Sequence, residues 1–150
     1  MKKFIVFCML CIFLFTASLF KQEYDFSEMN NLSVQVFTSD DSFSQFNKYS
    51  SIKNGDGRIF FCDYDQYKQI KKQCTSVSGV TFIFKGDNDL YNKIKYHLKI
   101  NVIENSETNF VGYSNYFDNC VNYNDKKVNV QGYFDGEKIY IGTPLLLGSY

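Results

Sequence analysis

The sequence lacks several residue types on which common functions depend. It contains no tryptophan, one proline, one histidine and a single arginine, Arg58, among 150 residues. A nucleic-acid-binding protein is expected to carry a stripe of basic residues, so the single arginine disfavours DNA or RNA as a partner. A glycine-rich phosphate loop is not indicated either, because Gly55-x-Gly57 precedes a short apolar run typical of a strand, whereas a phosphate loop precedes a helix.

Patterns for metal binding and catalysis are equally scarce. Outside the N-terminal segment the cysteines are Cys62, Cys74 and Cys120, and their spacing matches no zinc site. We therefore expect buried, structural cysteines, no metal, no cofactor and no enzymatic activity. A small envelope hydrolase that uses His97 with a cysteine stays an alternative, although no local motif places a nucleophile beside this imidazole.

The first twenty residues form a segment of their own. Lys2 and Lys3 precede an uncharged, almost wholly apolar run over residues 4–20. This pattern is typical of a secretory signal or an N-terminal membrane anchor, and as a helix the run would be about 25 Å long, close to the shortest bilayer crossing. We assign residues 1–20 to such a segment and expect an extracytoplasmic protein. Cleavage after Ser18 and retention as an anchor both stay open, and an uncleaved chain would bind the membrane through residues 4–20.

The remainder is interpreted as a polar tether over residues 21–31 and one α+β domain over residues 32–150. A helix is predicted from Asp63, which can cap it in a capping box with Gln66, and a second helix from Asp89 to Lys99. Alternating or short apolar runs predict strands at Leu32–Phe37, Arg58–Cys62, Gly79–Lys85, Ile100–Ile103 and Asn109–Asn115. This order predicts an antiparallel sheet with two or three helices on one face. The stretch 40–52 is ambiguous and would suit a short helix.

The clearest local pattern is a hairpin over residues 126–150. Apolar residues alternate on both sides of Asp135-Gly136, a dipeptide that suits the positive φ angles of a type I′ turn. A two-residue loop there pairs Phe134 with Glu137, and it places the apolar residues of both strands on one face. Pro144 cannot donate a backbone hydrogen bond, so strand pairing should weaken at that residue.

Two groups of residues in this hairpin are candidates for contact with a partner. Tyr133 and Tyr140 are predicted on its polar face, where aromatic rings with hydroxyl groups can contact another protein. Leu145, Leu146 and Leu147 follow the proline and are apolar enough to need a cover from a helix or a partner. Exposed leucines would mark a contact surface, whereas buried leucines would make the hairpin part of the scaffold.

The C-terminal run, residues 109–150, also carries motifs of a known family. Phe110-Val111, the strand 128–131, and Gly142-Thr143-Pro144 followed by two apolar residues and a terminal tyrosine resemble the YwmB family, exported proteins of spore-forming Gram-positive bacteria. The resemblance implies one half of a TATA-box-binding-protein-like fold and an exported or membrane-anchored, non-enzymatic module that acts by protein or cell-envelope contact, with a link to sporulation. The fold label also suggests a DNA-binding alternative, but a shared fold does not transfer function.

Overall fold

The computed structural model describes residues 24–39, 48–74 and 76–147. In this part of the chain, helices α1 (Tyr64–Gln73) and α2 (Asn88–His97) accompany ten strands. The strands are β1 (Ser33–Thr38), β2 (Ser50–Asn54), β3 (Gly57–Cys62), β4 (Val77–Lys85), β5 (Asn101–Asn105), β6 (Asn109–Tyr113), β7 (Val121–Tyr123), β8 (Lys126–Val128), β9 (Val130–Phe134) and β10 (Lys138–Thr143). The predicted hydrophobic helix at the N-terminus lies outside the described residues.

Eight of these strands form one antiparallel sheet in the order β2-β3-β1-β4-β10-β9-β6-β5, and β7 pairs with β8 in a separate ribbon. Strand β4 lies near the middle, where it pairs with β1 on one side and with β10 on the other. It therefore joins the N-terminal strands to the C-terminal ones. The predicted α+β class with a large antiparallel sheet is confirmed.

Successive strand residues point to opposite faces, and the pairing register shows which residues share a face. Val34, Phe82 and Ile141 are aligned across three central strands and are all buried. Both helices contribute to the core on this side, which we call the inner face, through residues that include Ile70 and Tyr91. The opposite side, which carries Thr81, Ile83, Gln131, Tyr133 and Tyr140, is called the outer face.

The two helices begin where acidic caps satisfy their free backbone N–H groups. Asp63 and Gln66 form the predicted capping box, in which the Asp63 carboxylate accepts from the Gln66 N–H at 2.8 Å and the Gln66 side chain accepts from the Asp63 N–H at 2.9 Å. Helix α2 begins one residue earlier than predicted, because Asp87 caps it by accepting from the Leu90 N–H at 2.8 Å.

The register predicted for the C-terminal hairpin is wrong by two residues. Phe134 pairs with Ile139 rather than being opposite Glu137. The Asp135 carboxylate accepts from the backbone N–H groups of Glu137 and Lys138 at 2.9 and 2.7 Å, which places the turn at Gly136 and Glu137. Because the shift is an even number of residues, the apolar face is preserved.

Two consecutive residues with positive φ, the feature of a type I′ turn, occur instead at Asn124 (47°) and Asp125 (60°), between β7 and β8. Val128 consequently pairs with Val121 in the separate ribbon. In the ambiguous stretch, Ser50–Asn54 is strand β2 rather than helix, and residues 40–47 lie outside the described part.

The described part of the predicted tether, residues 24–31, belongs to the folded domain. Phe26 is 1% exposed, and its ring stacks on Phe82 with the centroids 4.2 Å apart. The Phe26 N–H donates to the Tyr64 hydroxyl at 3.4 Å, and the Asn30 carbonyl accepts from the Lys85 N–H at 3.0 Å. The tether interpretation is therefore wrong over residues 24–31, because Tyr24 and Phe26 stand in an otherwise largely polar run that gives no periodic signal of burial.

We expect the substitution Phe26→Ala to lower the free energy of unfolding by about 3–5 kcal/mol, since it removes a large buried ring and leaves a cavity. Tyr96→Ala is the control, because Tyr96 is 82% exposed and its loss should change stability little. Urea unfolding followed by circular dichroism measures both. Equal stabilities for the two variants would contradict the burial of Phe26.

Candidate functional site

The middle of the outer face is covered by the chain's own C-terminal segment. Strand β10 ends at Thr143, and a cis peptide bond to Pro144 follows, so pairing stops where the proline predicts. The Leu147 N–H then donates to the Thr81 hydroxyl at 2.8 Å, and the Leu146 N–H donates to the Gln131 side-chain carbonyl at 3.2 Å. The segment after β10 therefore folds back over the sheet.

A glycine makes this close approach possible. A side chain at Gly142 would lie only 2.5 Å from the Leu146 backbone nitrogen, so Gly142 leaves the room that the segment occupies. Leu146 is 6% exposed, and Leu145 and Leu147 are half-buried. The three leucines, which were predicted as contact residues, therefore cover the sheet. Leu146 is buried and is not available to a partner.

The tyrosines of the predicted contact surface do face outward together. Tyr133 and Tyr140 are directly opposite each other on β9 and β10, with ring centroids 5.7 Å apart. Tyr133 is 40% exposed, whereas the Tyr140 hydroxyl donates to the Asp135 carboxylate at 3.0 Å. Tyr140 is thereby held against the turn, and the ring of Tyr133 forms the more accessible part of the pair.

The charge at this turn is held in place by hydrogen bonds. Burial opposes ionisation of Asp135, but the bonds donated by the Lys138 and Glu137 N–H groups and by Tyr140 outweigh it and lower the pKa of this carboxyl. Burial and the hydrogen bond to Asp135 raise the pKa of Tyr140. The turn therefore carries the ionised Asp135 carboxylate and the neutral Tyr140 phenol, with the partly exposed Tyr133 ring beside them.

An apolar stripe continues from this pair across the outer face. Ile83 of β4 is aligned with Tyr140 and is half-buried, so Ile83, Tyr140 and Tyr133 form a row over three adjacent strands. An apolar centre with a polar rim is the usual composition of a protein interface, and the rim here includes Lys85 and Glu137, whose charged atoms are 3.9 Å apart. We call the row Ile83, Tyr140 and Tyr133 the tyrosine row.

Sequence reasoning missed further exposed apolar residues, among them Ile52 on β2 and Phe61 on β3. Phe61 is aligned with Gln35, which in turn is aligned with Thr81, so Phe61 also lies on the outer face. The unbroken apolar run of β3 concealed which of its two phenylalanines points outward. Only the register with β1 separates exposed Phe61 from buried Phe60.

The structure does not bring together the residues of the hydrolase alternative. His97 is exposed at the end of α2, and the centroid of its ring is 6.1 Å from that of the neighbouring Tyr96. Cys62 and Cys74 are buried, whereas Cys120 is exposed. Burial raises the pKa of Cys62 to about 12, which is the opposite of an activated nucleophile.

A buried polar residue holds the loop after β6. Asn129, predicted on a polar hairpin face, is fully buried. Its side-chain oxygen accepts from the Ser114 N–H at 2.7 Å, and its amide nitrogen donates to the carbonyls of Ser114 and Phe117 at 2.7 and 2.9 Å. These bonds position Phe117 and its neighbour Tyr116, whose ring is 6.0 Å from that of Tyr24 in the N-terminal segment. The alternation of the strand concealed this role.

Within residues 24–39, 48–74 and 76–147, no group of His, Cys, Asp and Glu side chains is arranged to hold a metal ion. Over the same ranges, no helix has the length and apolar composition needed to cross a membrane. Comparisons with protein-family models, curated proteins and solved structures each find no match to this chain.

A thiol-specific reagent should distinguish the cysteines of the folded domain. At about pH 8, exposed Cys120 should react first, and Cys62 should react only on unfolding, because burial keeps its thiol protonated and shielded. Mass spectrometry of labelled peptides measures the order of reaction, and early labelling of Cys62 would contradict its burial.

The buried Cys62 thiol also makes stability depend on pH. The unfolded thiol loses its proton near pH 9, well below the folded one, so the stability contributed by neutral Cys62 should fall as the pH rises from there towards 12.

Proposed function

We propose that this chain is an exported or membrane-anchored, non-enzymatic module of the YwmB type, which acts by contact with a protein or another component of the cell envelope. The observation that carries the proposal is the tyrosine row on the outer face, where Tyr133 and Tyr140 lie side by side with Tyr133 partly exposed. Paired aromatic rings in an apolar stripe are typical of contact residues at protein interfaces.

The N-terminal sequence supports the proposed location. Residues 1–20 have the basic start and apolar run of a signal peptide or anchor, and Phe26, six residues after the run, is already buried in the folded domain. As part of the same proposal, the apolar run forms a hydrophobic helix, the sheet corresponds to one half of a TATA-box-binding-protein-like fold, and the process served is linked to sporulation. These three points come from the N-terminal pattern and from the resemblance of residues 109–150.

The DNA-binding alternative gains no support from the described residues. Lys138 is in the main sheet, but Lys127, which was also predicted in the hairpin, belongs to the separate β7–β8 ribbon. The two lysines therefore do not form a row on one sheet surface, as contacts to a DNA backbone would require. Retardation of duplex DNA by the domain, with a steep dependence on salt, would revive this alternative.

Cell fractionation tests the proposed location. We expect the full-length chain in the membrane or extracellular fraction, and we expect a variant lacking residues 1–20 to stay in the cytoplasm. Replacing Lys2 and Lys3 with glutamate should reduce export, because the basic start orients the apolar run. Full-length protein that remains cytoplasmic would contradict the proposal.

A photo-crosslinking amino acid tests the contact surface in cells. Placed at position 133 it should join the chain to an envelope component, because this position is in the tyrosine row. Placed at position 96, on a different surface, it should produce no such product, although Tyr96 is more exposed than Tyr133. A Tyr140→Ala substitution should weaken the product from position 133. Identical products from both positions would contradict a specific surface at the tyrosine row.

A further inference from the structure

The start of the folded domain is close in sequence to the apolar run. The Tyr24 ring is 4.7 Å from that of Phe26, which is buried in the core, and 6.0 Å from that of Tyr116. Only residues 21–23 separate Tyr24 from the end of the run at Phe20. Even a fully extended chain covers only about 14 Å over these four steps. An anchored chain would therefore hold Tyr24 close to the lipid.

The surface around Tyr24 has the composition of a membrane interface. Tyr24, Tyr64 and Tyr116 are each half-buried with part of the ring exposed, and the Tyr64 hydroxyl accepts from the Phe26 N–H. Tyrosine is enriched at the level of lipid head groups, where its ring is in contact with apolar chains and its hydroxyl with water. We call these three residues the aromatic collar.

Lysines of α1 are beside the aromatic collar. The Lys68 ammonium is 5.0 Å from the centre of the Tyr64 ring, and Lys71 lines a groove with Tyr116. Lysines of this kind can approach lipid phosphates while their side-chain carbons cover apolar surface. Asp25 is exposed nearby, so the surface has mixed charge, and the tyrosines rather than a net positive charge would dominate the contact.

The tyrosine row lies on the other side of the sheet. Tyr24 and Tyr116 pack on the inner face through Phe26, which stacks on Phe82, whereas Tyr133 is on the outer face. Contact between the aromatic collar and a membrane would consequently leave the tyrosine row directed away from the lipid.

We propose that the aromatic collar rests on the head-group layer of the membrane in which residues 4–20 are anchored, so that the tyrosine row faces the envelope space. The inference rests on the proposed anchoring and deepens it, because it states which side of the domain meets the lipid. The bilayer is the partner on the inner side of the domain, and the envelope component is the partner on the outer side.

The absence of tryptophan makes a direct test possible, because one introduced tryptophan is the only such fluorophore in the chain. Full-length Tyr116→Trp and Tyr133→Trp variants would be reconstituted in liposomes of phosphatidylglycerol and phosphatidylcholine that contain a lipid spin-labelled near the head group. We expect severalfold stronger quenching at position 116 than at position 133. Urea unfolding checks that each variant is folded, and Tyr24→Trp replaces Tyr116→Trp if the latter is not.

Flotation of the liposomes separates failure of the anchoring from failure of the orientation. A full-length chain that does not float with the liposomes would overturn both the anchoring and this inference. A chain that floats but shows equal quenching at the two positions, or stronger quenching at position 133, would overturn the orientation alone. Stronger quenching at position 116 that persists at high salt would support contact through the tyrosines, since charge contacts are screened.

Discussion

The packing around Phe82 is the interaction on which the rest of the described structure depends. Phe82 lies on the inner face of β4, near the middle of the sheet, with the Phe26 ring stacked on it at 4.2 Å and the Tyr67 ring of α1 edge-on at 5.5 Å. One side chain thus joins the central strand, the N-terminal segment and a helix. Because close-packed interiors tolerate little change in volume, the positions of these elements are coupled.

The two faces of the sheet are completed in different ways. The inner face is covered by the helices and by the N-terminal segment, whose Phe26 ring stacks on Phe82. Within the described ranges the outer face is covered only in part, where the chain folds back after β10 and Gly142 leaves room for it. The uncovered remainder includes the tyrosine row. The proposed membrane contact uses the aromatic collar on one side of the sheet, and the proposed partner contact uses the tyrosine row on the other.

Much of the architecture could be predicted, because it depends on residues that are close in sequence. The capping box of Asp63 and Gln66 spans four residues, and alternation along a strand assigns its faces. The hairpin shows the limit of this reasoning. An even shift in register preserves both faces, so alternation alone cannot detect it, and the bonds of the Asp135 carboxylate decide the turn. Of the predicted site, the tyrosines are accessible in the structure and Leu146 is not.

The sequence by itself determined where α1 begins, which strand residues share a face and where β10 stops pairing, since caps, alternation and proline act locally. Only the tertiary structure decided that Phe26 enters the core, that the buried Asn129 side chain holds the loop after β6 by hydrogen bonds, and that Leu146 covers the sheet. The physical reason is the same in each case. Burial depends on a partner surface formed by strands and loops elsewhere in the chain, and no local pattern encodes that surface.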